Sequence, residues 1–184
     1  MEKIKEYIKD FSQIYIYRDD IDDDGIAGIP LKINNDFLLI LYLYDFVFDG
    51  YKVLTLDDIT EWRGNQIEEF HDYILSQEGT VKNADRLENL NIDSWKNIFG
   101  FLQNHQKMID ISLEREEEKR NFFVGKVDEV FEDSIMLREI SVTGEYKNRR
   151  KRIYYKDITL ISFGNRYSEM LDKYGDEYNQ RKMG

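Results

Sequence analysis

At 184 residues, with 41% hydrophobic and 14% aromatic residues and no cysteine, the chain has the material for one or two folded cores. It carries neither disulfides nor thiolate chemistry. Its net charge of −11 is uneven: residues 1–91 hold 20 acidic and 9 basic residues, a balance of −11, while residues 92–184 hold 17 of each, a balance of 0. The first half therefore repels phosphate backbones. The first ten residues lack the apolar core of a signal peptide and no apolar run approaches the ~20 residues of a membrane span, so a reducing cytoplasm without membrane contact is the expected location.

Ile4, Tyr7, Ile8 and Phe11 share one helical face, which predicts an amphipathic helix over about 2–11. Ile14 and Ile16 alternate with polar and tyrosine positions as in a strand. The acidic run 19–25 then forms a turn, and a long strand reaches about Ile33. Pro30 falls inside that strand, where its missing N–H is tolerated at an edge or a bulge. A strongly apolar strand follows from Phe37 to Asp45, Asp49-Gly50 signals a hairpin, and strands at 51–56 and 59–63 complete five. Ile67, Phe70, Ile74 and Leu75 mark a second amphipathic helix over 66–76. Polar residues 79–91 read as a linker between domains at 1–78 and 92–184. Beyond it, Asp93 or Ser94 can cap a helix carrying Trp95, Ile98, Phe99 and Leu102. Strands are expected from Ile109 to Leu113 and at 122–131, 134–142, 150–156 and 158–163, with a turn over 116–121 and a last helix over 166–178.

The two halves repeat. Residues 28–40 return as 125–137 at an offset of 97, Asp58-Ile59-Thr60 returns as Asp157-Ile158-Thr159, and Gly64-Asn65 returns as Gly164-Asn165. The expected fold class is mostly β with flanking helices (α+β), as two tandem five-stranded antiparallel barrels, each preceded and followed by a short helix.

The order helix then five strands, with a glycine early in the second strand, an acidic turn before the third, and Arg63-Gly64 closing the fifth, resembles the Sm-like (LSm) family of small barrels. The resemblance covers most of the chain, twice. In that family the turn between strands two and three supplies Asp and Asn around an aromatic residue, and the Arg-Gly turn completes a pocket for an RNA base. Here the matching positions are Asn34 and Leu38 around Phe37 in the first copy, and Phe131 and Ile135 in the second. Arg63, Gly64 and Asn65 match the second motif, whereas Phe163 stands in the arginine's place in the second copy. The resemblance thus implies an incomplete base pocket in one copy and none in the other.

Three further groups of residues bear on chemistry. Asp20, Asp22 and Asp24 before Gly25 have the start of a calcium loop, but its twelfth position is Leu31, and a solvated turn is the competing reading. Lys147, Arg149, Arg150, Lys151 and Arg152, beside Tyr146, Tyr154 and Tyr155, read either as a phosphate-binding hairpin with stacking rings or as a charged edge strand that prevents sheet pairing. His71 and His105 lie on predicted helices without a ligand-spaced partner, and Tyr42, Tyr44, Phe46 and Phe48 alternate as barrel wall or interface. No catalytic, cofactor or metal signature stands out. The leading expectation is a non-enzymatic interaction and assembly module whose partner is itself or another protein. The alternative is single-stranded RNA binding through the basic hairpin.

Overall fold

The computed structural model describes residues 2–115 and 121–183. Of the turn expected over 116–121, residues 116–120 lie outside them, and Asn121 opens a strand. The described chain is α+β, with ten strands and four helices, and divides into two compact units, Met1–Asp93 and Ser94–Gly184.

In the first unit, α1 (Glu2–Asp10) precedes β1 (Ile14–Arg18), β2 (Asp22–Ile33), β3 (Phe37–Tyr44), β4 (Val47–Thr55), a single 3₁₀ turn (Leu56–Asp58), β5 (Glu61–Arg63) and α2 (Gln66–Glu78). The sheet is antiparallel, in the order β5-β1-β2-β3-β4. The 3₁₀ turn carries the chain from β4 to the far side of β1, where Arg63 pairs with Tyr15. β4 and β5 share no ladder among the described residues, so the sheet is open. The expected closed barrel is corrected on this point, because three residues of β5 are all spent on β1.

The core follows the apolar pattern. Ile14 and Ile16 of β1 and Leu38, Leu39, Ile40 and Leu41 of β3 are fully buried. β3 is therefore covered on both faces, as its unbroken apolar run requires, and each such side chain contributes roughly 1.5–3 kcal/mol by leaving water. At Gly28, a Cβ would stand 2.7 Å from the backbone oxygen of Leu41, so only glycine lets β3 approach this closely. Pro30 sits at the bulge between β2 and β3, where the register shifts between Pro30 and Lys32.

Two local expectations change. Asp49-Gly50 is not the hairpin turn. It lies inside β4 at a register shift, with Gly50 at φ 83°, and the turn is Asp45-Phe46, both at positive φ (44° and 64°). Two left-handed residues give a two-residue hairpin loop matched to strand twist, although neither is the usual glycine. The segment 79–91 also does more than connect. Lys32 Nζ donates to the carbonyls of Leu87 (2.7 Å), Glu88 (2.8 Å) and Leu90 (2.6 Å), and the Tyr51 hydroxyl donates to Asp85 O (2.7 Å). Leu87, Leu90 and Ile92 are buried. The segment is a strap held on the first unit by a lysine that donates to three of its carbonyls, one of which, Leu87 O, also accepts from Leu90 N at 2.9 Å.

The second unit has the same order of elements: α3 (Trp95–Asn104), β6 (Met108–Leu113), β7 (Asn121–Val130), β8 (Ser134–Glu139), β9 (Lys151–Tyr154), a 3₁₀ turn (Tyr155–Asp157), β10 (Leu160–Phe163) and α4 (Arg166–Met183). Its sheet is likewise open and antiparallel, in the order β10-β6-β7-β8-β9. A Cβ at Gly125 would lie 2.4 Å from Arg138 O, the same close approach as at Gly28. Ser94 caps α3 through Asn97 N, and Phe99 stacks on Tyr155 at 5.7 Å and 8°. α4 is longer than expected, eighteen residues. No described helix is long and apolar enough to cross a membrane.

Candidate functional site

The Arg-Gly turn is held by its own surroundings. Asn65 caps α2: its Oδ1 accepts from Ile67 N at 2.8 Å, and its own N–H donates to Glu68 Oε2 at 3.0 Å, a reciprocal capping box. Glu68, only 2% exposed, also accepts from Arg63 Nε at 3.0 Å. Arg63 Nη1 donates to the Tyr17 hydroxyl, and its guanidinium lies 4.7 Å from the Tyr15 ring centroid. The hydrogen bond to Glu68 raises the pKa of Arg63 further. Gly64 is required because the Tyr7 ring passes over it; a Cβ would meet the Tyr7 hydroxyl at 2.4 Å, and that hydroxyl donates to Gly64 O at 2.9 Å. Arg63, Gly64 and Asn65 thus join β5 to β1, α2 and α1, with Arg63 Nε and Nη1, Gly64 O and Asn65 N and Oδ1 engaged in that junction.

Phe37 is buried, 6% exposed, so its ring belongs to the core and offers no open stacking face. Asn34 forms an Asx turn, accepting from Asp36 N and Phe37 N (2.9 and 2.7 Å) and donating to Ile92 O at 2.8 Å. The cleft bordered by Gly64 and Asn65, about 250 Å³, is lined by Glu6, Asp10, Glu68, Glu69 and Asp72 against one lysine, Lys3. Burial raises the pKa of Asp72, whose oxygens accept from Gln13 N. Five carboxylates around one cation do not suit a phosphate chain.

In the second unit, ladder register places Ser162 opposite Asp110 as Arg63 stands opposite Tyr15. Ser162, rather than Phe163, therefore holds the arginine's place. Asn165 again heads the following helix; its Nδ2 donates to Asp110 Oδ2 at 2.6 Å, and Ser168 Oγ donates to Asp110 Oδ1. The basic hairpin is largely engaged. Lys147 pairs with Glu139, and Arg150 pairs with Asp128 (2.8 Å) and Glu129 (3.1 Å). Lys151 Nζ lies 5.1 Å over Phe123, and Arg152 lies 4.5 Å over Phe131 and donates to Ser134 Oγ at 3.0 Å. Arg149 is exposed.

The remaining candidates separate. Asp22 Oδ1 accepts from Asp24 N at 3.0 Å, and its Oδ2 lies 4.0 Å from Arg18 Nη2; Asp20 is not brought to them. Among the described residues, no three His, Asp or Glu side chains converge as metal ligands. Gln13 Nε2 lies 3.3 Å from His71 Nδ1, and the Phe46 ring meets the His71 ring edge-on at 4.9 Å; His105 is held to Phe101 O at 2.7 Å. The aromatic alternation breaks at Phe46 because that residue is in the turn. Lys52 covers Tyr42 at 4.1 Å, Phe48 packs on Tyr51 at 5.3 Å, and Tyr44 is exposed.

One group was missed. Ile67, Phe70 and Tyr73 of α2 are exposed (49%, 61% and 60%), whereas Leu75 and Glu68 point inward. The Asn65-x-x-Glu68 capping signal, which fixes the helix phase with Glu68 turned in, could have revealed this. Comparison with protein-family models, curated proteins and solved structures finds no match for the chain.

Proposed function

We propose that the chain is a non-enzymatic assembly module, a tandem of two divergent Sm-like units whose open sheets join to copies of the chain edge to edge. The likeness to that family rests on the shared helix–five-strand plan, the fifth strand pairing with the first in both units, and a 3₁₀ turn before it.

The observation that carries the reading concerns the terminal strands. β5 ends the first unit's sheet and β9 ends the second's. Both have exposed residues: Glu61 on β5, and Lys151, Arg152 and Tyr154 on β9. A strand with an open edge is a template for another strand. The two edges differ in charge. β5 follows Asp57 and Asp58 within the acidic half, and β9 follows Arg149 and Arg150. Opposite charges favour β9 of one chain on β5 of the next and disfavour like on like. RNA binding has weaker support, because most of the basic side chains already face carboxylates or rings.

Multi-angle light scattering tests the reading with the Lys151→Glu/Arg152→Glu variant. The native chain is expected at a multiple of 22.2 kDa and the variant at 22.2 kDa, with unchanged circular dichroism. A native monomer at ~100 µM, where standard-size interfaces are populated, contradicts it.

A further inference from the structure

The outer face of α2 and the tip of the β3–β4 hairpin form one apolar surface on the first unit. Ile67, Phe70 and Tyr73 recur every three residues and are about half or more exposed, and Phe46 and Val47 at the hairpin tip are 39% and 61% exposed. His71 links the two parts, its ring centroid 4.9 Å from that of Phe46 and 6.5 Å from that of Phe70. Phe46 holds its ring there from a left-handed backbone, φ 64°, which costs a non-glycine residue about 1 kcal/mol. Large exposed side chains gathered on one patch mark an interaction surface more often than scattered ones do.

The charge around the patch states what fits it. Of the α2 carboxylates, Glu68 is turned inward onto Arg63 and Asp72 accepts from Gln13 N, but Glu69 and Glu78 are exposed, α2 carries no lysine or arginine, and exposed Asp45 stands in the hairpin turn. An apolar helix face within an acidic field is complementary to a helix with an apolar stripe and lysine or arginine beside it. It is opposed to an anionic lipid surface. The second unit keeps an apolar position here, with Tyr167 and Tyr174 on α4 about half exposed, but Lys173 and Arg166 stand among them, so the acidic field belongs to the first unit alone.

We infer that the α2–hairpin face of the first unit docks a basic amphipathic helix from a different protein. This surface is separate from the sheet edges of the assembly reading, and either can fail alone. The probe is an 18-residue fluorescent peptide of leucine and lysine with leucines at helical spacing. Its controls are a scrambled peptide of the same composition and a leucine–glutamate peptide. The native chain is expected to bind the first peptide at least about tenfold more tightly than the scrambled one and not to bind the acidic one. Ile67→Ser/Phe70→Ser should lose about tenfold or more in affinity, as truncated anchors do. Both residues are exposed, so the fold should persist, as circular dichroism will report. Glu69→Lys/Glu78→Lys, which leaves the apolar residues in place, should weaken binding too. Equal binding of the ordered and scrambled peptides, or full binding by the Ser variant, overturns the inference. So does a fall in the chain's own oligomeric mass in the Ser variant, which would make the occupant a second copy. Preference for anionic vesicles over the peptide overturns it as well.

Discussion

Glu68 shows how one side chain decides what its neighbours do. It is buried, completes the α2 cap with Asn65, and neutralises Arg63. Glu68→Ala should cost about 2–4 kcal/mol in urea unfolding, because it removes a cap and leaves a half-buried guanidinium without its anion. Glu68→Gln, which can still accept the cap bond, should cost less. In the sequence, Arg63-Gly64-Asn65 reads as part of a base pocket; Asn65-x-x-Glu68, a capping signal that shares Asn65 with it, was passed over. In the fold Asn65 serves the cap, and the pairing of buried Glu68 with Arg63, which no local spacing marks, ties the arginine to it. Tyr51 gives a pH test. Burial, then the Asp85 carboxylate, pushes its hydroxyl up to about 12 against an ordinary value of 10.0. The fold therefore favours the neutral form. Its contribution is complete below pH 10 and is lost as pH rises from 10 to 12. Stability should fall across that window, and Tyr51→Phe should shrink the fall by roughly 1–2 kcal/mol in unfolding curves taken at successive pH values.

Most elements were legible because their apolar periods are clean. The four described helices and ten described strands lie where the pattern put them, apart from the earlier starts of β2 and β4 and the longer α4, within about three residues at their ends. The β3–β4 turn was not, because Asp49-Gly50 is the stronger hairpin signal on paper. Placing the turn there would leave the apolar run 37–44 too few partners; the bulge at Gly50 lets all of β3 pair with Val47–Thr55. The strap was hidden for a different reason. Its polar composition describes a linker, and what fixes it is Lys32, more than fifty residues away. Burial lowers the pKa of that lysine, with the Glu88 carboxylate acting against the shift. Lys32→Ala should free the strap, and trypsin should cut after Lys82 and Arg86 about tenfold faster while the rest of the unit stays protected, since cleavage follows the population of the locally opened state.

At the scale of the molecule, two units with one strand plan carry unlike surfaces. The first half holds all the excess negative charge and the acidic α2 face, and the second holds the basic edge strand. Features that set the strand plan, Gly28 and Gly125 among them, recur in both. The Arg63–Glu68 pair and the basic hairpin do not recur. That contrast is what the proposed assembly reading draws on, since a duplicated nucleic-acid site would keep its basic residues in both units. The most direct measurement is the mass in solution by light scattering, with and without a mixed-sequence single-stranded RNA at low salt. The assembly reading predicts a multiple of 22.2 kDa that RNA leaves unchanged. A 22.2 kDa monomer, or a species that forms only when RNA is added, would contradict it.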